Sequence, residues 1–293
     1  FDDMRNHGIR IFFVVDDILP LLLPNAFPHG TEAYFRAYVD VLARISDGVV
    51  CISRAVADEL LEWIGVHAAP RDSTLEIGYF HLGADISSSA PTTGLPDNAT
   101  QVMAATGKRP TLLMVGTVEP RKGHEQALAA FDLLWSQGVE VNLVIVGKPG
   151  WMVEPLLKRI ESHPQLHHRL FWLSGASDEM LTKLYTSCSA LLAASVGEGF
   201  GLPLIEAAQH SLPIVARNLP VFREVSGGHA FYFEGVQAED LADALRAWLA
   251  LFTAGQAPVS AQMPWLTWAD SARELLGSVI GERRYRSLPG SLS

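Results

Sequence analysis

The sequence has few cysteines, no long apolar run and no metal-binding pattern. Its 293 residues include two cysteines, Cys51 and Cys188, and both lie in apolar runs. We therefore expect buried free thiols in a reducing, cytoplasmic location rather than disulfides or a Cys/His metal site. No stretch of about 18 uninterrupted apolar residues occurs, so the sequence predicts no transmembrane helix.

Positive charge is also scarce. Lysine and arginine total 22 against 32 acidic residues, for a net charge of −10, whereas nucleic-acid binding requires a basic surface. The one basic cluster, Arg283, Arg284 and Arg286, is either a solvated tail or a surface that contacts a partner. The excess of acidic residues also disfavours a broadly basic membrane-binding face. It is compatible with a local, peripheral contact with the cytoplasmic face of the inner membrane.

The sequence lacks a dinucleotide-binding motif but has the pattern of an α/β protein. No G-x-G-x-x-G follows an early strand with an acidic residue about 20 positions later, so a dehydrogenase is disfavoured. From residue 111 onward, apolar strands separated by helices are predicted at 111–116, 141–147, 170–173, 190–194 and 214–216. Continuous apolar strands of this kind are typical of a parallel sheet covered on both faces, as in a Rossmann-like domain.

The first 83 residues follow the same pattern with fewer strands. Strands are predicted at 9–15, 49–52 and 75–80, with helices at 31–45 and from Ser53 to Trp63. A segment at 86–98, dominated by Ser, Thr, Pro and Gly, predicts an exposed linker. We predict a partial N-terminal Rossmann-like domain with its linker at 1–95, a nucleotide-binding domain at 96–258, and a C-terminal helix within 259–293 that crosses back to the N-terminal domain. The start at Phe1 also leads us to expect an incomplete N-terminal domain.

The segment at 195–207, SVGEGFGLPLIEA, is the most informative about a ligand-binding site. It places Glu198 in a glycine-rich loop after a buried strand, and Glu206 eight residues later in the helix that follows. A strand, a tight glycine loop and a helix N-terminus form an anion-binding corner, because free N–H groups and the helix dipole point at the loop. Two carboxylates beside that corner fit a ligand with both phosphate and hydroxyl groups, as in a nucleotide-sugar.

Three more loops follow strands whose carboxyl ends should share this edge of the sheet. GTVEPRKG at 116–123 carries Arg121 and Lys122 at the start of a helix; solvated surface cations are the alternative, but this location favours an anion site. GKPGW at 147–151 offers Lys148 as a ligand contact or serves as a turn. SGAS at 174–177 offers amides near Ser174 that could read a nucleobase, or is a plain strand-to-helix turn.

Together and in order, the P-R-K-G loop and the E-x7-E segment with its G-F-G resemble the C-terminal half of GT-B glycosyltransferases of family 4. The resemblance implies two Rossmann-like domains facing a cleft, and transfer of a hexose with retention from a nucleoside-diphosphate sugar. DILPLLLP, CISR, HLGAD and VGKPGW resemble a subgroup, the bacterial mannosyl- and rhamnosyltransferases of polysaccharide assembly. That subgroup implies a GDP-linked donor and a glycan or lipid-linked saccharide acceptor.

The resemblance also implies residue roles. Arg121 and Lys122 would hold the diphosphate and Glu198 would contact the donor sugar, which makes these three the catalytic residues. Glu206 would bind the ribose hydroxyls, since a carboxylate accepts two hydrogen bonds from a vicinal diol. The other donor-site residues would be Gly116, Thr117, Lys148, Ser174, Gly199, Phe200, Gly201 and Leu202. The resemblance implies no metal and no cofactor besides the nucleotide-sugar substrate.

Two departures from the family pattern leave alternatives open. Asp16 stands where many family members carry a histidine, and the family's first strand and its glycine-rich loop are absent. The acceptor side is therefore only partly represented. A nucleotide-sugar-binding module without turnover remains an alternative, as does an epimerase or phosphorylase on the same fold, although P-R-K-G with E-x7-E favours a transferase.

Overall fold

The chain folds into two compact α/β units in a computed structural model that describes residues 3–4, 7–67, 71, 73–85, 91–281 and 284–290. The strands are β1 (Phe12–Val15), β2 (Gly48–Cys51), β3 (Leu75–Tyr79), β4 (Thr111–Val115), β5 (Asn142–Val146), β6 (Leu170–Leu173), β7 (Ala190–Ala193), β8 (Ile214–Arg217), β9 (Phe231–Phe233) and β10 (Arg286–Leu288). The helices are α1 (Leu19–Leu22), α2 (Thr31–Ile45), α3 (Arg54–His67), α4 (Ala99–Thr106), α5 (His124–Ser136), α6 (Glu154–Glu161), α7 (Asp178–Ser187), α8 (Leu202–Gln209), α9 (Pro220–Ser226), α10 (Ala238–Thr253) and α11 (Trp268–Val279), with 3-10 turns at Pro24–Ala26 and Pro120–Lys122.

The second unit, Ile86–Gly197 and Gly201–Pro264, is built on a parallel sheet of six strands. Their order is β6-β5-β4-β7-β8-β9, the doubly wound order of a Rossmann-like domain. All five residues of β5 are buried, as expected for a strand covered on both faces. The core between sheet and helices includes Phe131 of α5 and Trp248 of α10, both fully buried. The predicted α/β class with parallel strands is confirmed.

The first unit, Phe1–Asp85, Glu198–Phe200 and Trp265–Ser293, has a four-stranded sheet in the order β1-β2-β3-β10. β1, β2 and β3 are parallel, as their apolar character predicts. α2 has the predicted bounds, and Ser53 caps α3 by accepting a hydrogen bond from the Val56 amide at 3.2 Å. Helix α11 contacts β2 and β3 of this unit.

The C-terminal basic cluster is part of the first sheet rather than a solvated tail. β10 pairs antiparallel with β3, and the Arg284 guanidinium lies 3.1 Å from the Glu76 carboxylate. The Tyr285 hydroxyl donates to Asp58 at 2.8 Å. Arg283 lies outside the described residues. A three-residue strand carries too little apolar pattern to be recognised, and its pairing with β3 contradicts the solvated-tail alternative.

Part of the predicted linker at 86–98 is bound to the second unit. Residues 86–90 lie outside the described residues, but the Thr92 amide and hydroxyl both donate to Asp178, at 2.8 and 2.7 Å. The Gly94 amide donates to Glu179 at 2.9 Å, so the N-terminus of α7 anchors this segment. The second unit consequently begins after Asp85 and ends at Pro264, whereas the sequence suggested 96 and 258.

Candidate functional site

The candidate site lies where the strand order of the second sheet reverses. β4 and β7 are neighbours, with Leu112 opposite Ala190 and Leu113 opposite Leu191. The strands that follow β4 in sequence lie on one side of it and those that follow β7 lie on the other. Ligands of open α/β sheets bind outside the carboxyl ends of the strands at such a switch point. The loops after β4 and β7, which hold the two predicted motifs, both emerge there.

Arg121 joins these two loops. Its Nη1 donates to the Gly197 carbonyl at 3.2 Å, and the Val196 amide donates to the Arg121 carbonyl at 2.8 Å. Its Nε lies 3.0 Å from a carboxylate oxygen of Glu119, in an ion pair with little solvent exposure. A side chain at Gly123 would place its Cβ 2.3 Å from the Ala194 carbonyl oxygen, so this glycine permits the close approach of the loops.

The positive charge of the site comes from Arg121 and Lys122 rather than from the next basic residue, His124. Both cations lie in the 3-10 turn directly before α5, and Gly116 approaches the Lys122 side chain. Burial, with a smaller contribution from the charge of Lys122, lowers the pKa of His124 to about 4. His124 is therefore neutral at neutral pH, and an anion at the N-terminus of α5 would meet two cations and the helix dipole.

The loops after β5 and β6 lie along the same edge. The Val118 amide donates to the Lys148 carbonyl at 2.9 Å, and the Gly150 amide donates to the Val118 carbonyl at 2.9 Å. The backbone of Lys148 thus ties its loop to the one that carries Thr117 and Arg121, while the Lys148 side chain is exposed. Ser174 is exposed at the end of β6. Lys148 and Ser174 thus both present exposed side chains at the ends of their strands.

Glu206 lies on α8 and is held by a buried tyrosine. Gly201 is the N-cap of α8 and Leu202 its first residue. The Tyr185 hydroxyl donates to Oε2 of Glu206 at 2.5 Å. Burial raises the pKa of Glu206, while the hydrogen bond from Tyr185 acts in the opposite direction. A carboxylate in this position can accept hydrogen bonds from a ligand beside the N-terminus of the helix.

Glu198, Gly199 and Phe200 belong to the first unit, unlike the other predicted donor residues. The Ser53 hydroxyl donates to the Gly199 carbonyl at 2.8 Å, and a Cβ on Gly199 would lie 2.4 Å from the Asp16 carbonyl oxygen. The Phe200 ring lies 5.5 Å from the His81 ring. These contacts involve residues that follow β1, β2 and β3. The predicted donor residues therefore form two groups, one in each unit.

Arg217 supports the loop after β7, a role that sequence reasoning missed. It is buried at the end of β8, where its Nε donates to the Ser195 carbonyl at 2.9 Å and its Nη2 to the Ala194 carbonyl at 3.0 Å. The same guanidinium donates to Gly235 and Gln126. The signal available in the sequence was a cation at the end of the apolar strand IVAR. Arg217 therefore fixes the start of the segment that leads to Glu198.

The described residues contain neither a metal-binding cluster nor a membrane-spanning helix. No group of three His, Cys, Asp or Glu residues in this part of the chain is arranged to hold a metal ion. No helix among these residues combines the length and the apolar character needed to cross a membrane.

Comparisons with known proteins find similar glycosyltransferase sequences. A sequence profile described as "Glycosyl transferases group 1" matches residues 97–252, more than half of the chain. The chain is 47% identical over 277 residues to "Serotype-specific mannosyltransferase WbdA" of Escherichia coli. That match covers 94% of this chain and 34% of WbdA, so the chain spans about a third of the length of this curated relative. The predicted similarity to bacterial mannosyltransferases is confirmed.

Solved structures share the fold at low sequence identity. Sucrose-phosphate synthase from Thermosynechococcus elongatus matches with a TM-score of 0.71 and 18% identity, covering 95% of this chain and 69% of that structure. HepE of Anabaena, solved in complex with UDP and glucose, matches with a TM-score of 0.67 and 16% identity, covering 94% of this chain and 73% of HepE. These matches confirm the predicted GT-B fold class.

Proposed function

Because the chain belongs to the group 1 glycosyl transferases, we propose that it transfers a mannosyl residue from GDP-mannose to a hydroxyl group of a glycan or lipid-linked saccharide. The observation that carries this proposal is the joining of the two motif loops by Arg121, which binds the carbonyl of Gly197, the residue directly before Glu198. The similarity to a mannosyltransferase supports mannose as the transferred sugar.

Each part of the nucleotide-sugar donor would contact residues whose chemistry matches it. Arg121 and Lys122 would bind the diphosphate, supported by the dipole at the N-terminus of α5. Glu206 would accept hydrogen bonds from the ribose hydroxyls, and the exposed backbone around Ser174 would face the base. Glu198 would contact the mannose. Gly116, Thr117, Gly199, Phe200, Gly201 and Leu202 would line the site, and Lys148 would lie at its edge.

The proposed reaction exchanges one bond at the anomeric carbon for another. The bond from that carbon to the β-phosphate oxygen breaks, GDP leaves, and the acceptor oxygen forms a new bond on the same face of the sugar. The acceptor proton passes to an oxygen of the departing phosphate. Charge that develops on this phosphate would be stabilised by Arg121, Lys122 and the α5 dipole, so we propose that transfer proceeds without a metal ion.

Stereochemistry tests the retaining mechanism. The product of transfer from GDP-mannose should keep the anomeric configuration of the donor, because the acceptor attacks from the face that GDP leaves. NMR of the anomeric proton and carbon in the first product measures the outcome. A product of inverted configuration would overturn this mechanism while leaving the donor site intact.

Thermal unfolding tests the donor. GDP at 100 times its Kd should stabilise the native state by about 2.7 kcal/mol, which corresponds to an increase in Tm of about 5 °C for a protein of this size. UDP and ADP at the same concentration should give smaller shifts. Stabilisation by UDP and not by GDP would contradict the assignment of a GDP-linked donor.

A transfer assay separates the enzyme from a binding module. The chain is incubated with GDP-mannose and saccharide acceptors, and mannosylated product and free GDP are measured. Stabilisation by GDP without any transfer to these acceptors would favour a module that binds the nucleotide-sugar.

We also propose that the reaction takes place on the cytoplasmic face of the inner membrane, where a peripheral contact would give access to a lipid-linked acceptor. Co-sedimentation with inner-membrane vesicles tests this contact, and a chain that stays in the supernatant would contradict it.

A further inference from the structure

Buried Tyr185 and half-buried Glu206 form a hydrogen-bonded pair that the proposed reaction does not yet explain. Tyr185 is 3% exposed on α7, and its hydroxyl donates to Oε2 of Glu206 at 2.5 Å. Its ring stacks on His210, with centroids 5.5 Å apart and planes inclined by 9°. Burial and the stacked ring fix the phenol, and the phenol in turn fixes one oxygen of the carboxylate.

A carboxylate that binds a vicinal diol must present its lone pairs in a defined direction. A glutamate on a helix surface has three rotatable side-chain bonds, so without a partner it would lose rotamer freedom when it binds. In this chain Oε2 of Glu206 is held by Tyr185, while Oε1 accepts no hydrogen bond from the described residues. The held oxygen sets the orientation of the other.

We propose that Tyr185 is a positioning residue for the donor: it orients Glu206 so that the carboxylate accepts hydrogen bonds from the two ribose hydroxyls. This inference rests on the proposed function, because Glu206 is the residue assigned there to the ribose. Tyr185 touches no ligand itself. Its hydroxyl acts through Glu206, and the ring packed on His210 holds the hydroxyl in place.

The Tyr185 hydroxyl also affects the pKa of Glu206. Burial raises the pKa of Glu206, the charge of Asp178 adds to the increase, and the Tyr185 hydrogen bond and His210 oppose it. Removal of the hydroxyl therefore raises the pKa of Glu206 further. A protonated carboxyl group is a poorer acceptor for a diol. As the pH falls, Tyr185→Phe should therefore begin to lose affinity for the ribose at a higher pH than the wild type does.

The test compares GDP with 2′,3′-dideoxy-GDP, which lacks the diol, on the full chain. We expect Tyr185→Phe to weaken GDP binding about tenfold, on the scale of one hydrogen bond to a charged group, and to leave the Kd of the dideoxy analogue unchanged. The GDP loss should grow between pH 8 and pH 6. Tyr232→Phe is the matched control, because its hydroxyl donates to the main-chain carbonyls of Phe222 and Gly227 in the same unit.

A double-mutant cycle with Glu206→Gln completes the test. Tyr185→Phe should cause no further loss of GDP affinity in the Glu206→Gln background, because both substitutions disable the same interaction between Glu206 and the ribose. Equal weakening of both nucleotides, or an unchanged Kd for GDP, would overturn the positioning role while the proposed function stands. If the wild type binds no GDP, or binds the two nucleotides equally, the assignment of the ribose to Glu206 fails and the positioning role fails with it.

Discussion

Replacing Glu198 by alanine should lower kcat for mannosyl transfer by about 10³-fold, the scale for a preorganised group that acts on the transition state. In the proposed site its carboxylate accepts hydrogen bonds from the mannose hydroxyls and faces the positive charge that develops on the ring. Glu198→Gln keeps the size of the side chain but removes the charge, so it should lose most of the same activity. GDP binding should change little, because the diphosphate and the ribose are assigned to other residues.

The measurement is kcat with GDP-mannose, together with the Kd for GDP. Glu161→Gln, an exposed glutamate at the end of α6, is the control and should keep full activity. Unchanged turnover in Glu198→Ala would remove this residue from the site. A loss of GDP binding as large as the loss of turnover would instead indicate that Glu198 acts on the fold of its loop.

Replacing Arg121 by lysine should lower kcat by about 10²-fold, although the positive charge is kept. The guanidinium bridges Glu119 and the Gly197 carbonyl, at 3.0 and 3.2 Å, and it is assigned to the leaving phosphate. A lysine carries its charge on one atom and cannot hold this fork geometry. Some charge would still reach the phosphate, so the loss should be smaller than for Arg121→Met.

Arg121→Met should in addition destabilise the fold by about 3–5 kcal/mol, because it leaves a buried carboxylate without its partner. The side chains of Arg121 and Glu119 are 16% and 7% exposed, so water compensates little for the lost ion pair. Thermal unfolding measures this difference, and Arg246→Met, which removes an exposed ion pair with Asp243, is the control. Wild-type turnover in both Arg121 variants would contradict the phosphate role.

Much of the fold could be predicted because buried parallel strands leave a strong signal. The strand at 170–173 and the helix at 31–45 have the predicted bounds, since runs of apolar residues and a regular helical period continue to the ends of these elements. α10 was missed although its signals are present: Gln237 and Asp240 form a capping box, and Trp248 anchors its apolar face. β9, with three residues, offers no comparable pattern.

The motif residues of the candidate site could be predicted from the sequence, but the residues that hold the motif loops in place could not. Arg121 and Lys122 follow a recognisable strand, and the two loops meet because their strands are neighbours. The spacing of residues could not reveal that Arg217 is bound to the Ala194 and Ser195 carbonyls, because that contact depends on how β7 and β8 pair. Nor could it show that 198–200 packs with the first unit, since the glycines that permit close contact carry no apolar signal.

The short strand β10 covers one edge of β3. Leu288 lies opposite Leu75 and Arg286 opposite Ile77, so β10 occupies the hydrogen-bonding groups on that side of β3. An uncovered strand edge is a template for pairing with other chains. Proteolytic loss of residues 284–290 would expose that edge beside the apolar positions Leu75 and Ile77. A clipped chain could therefore keep its second unit intact and still precipitate, because the damage would lie in the other sheet.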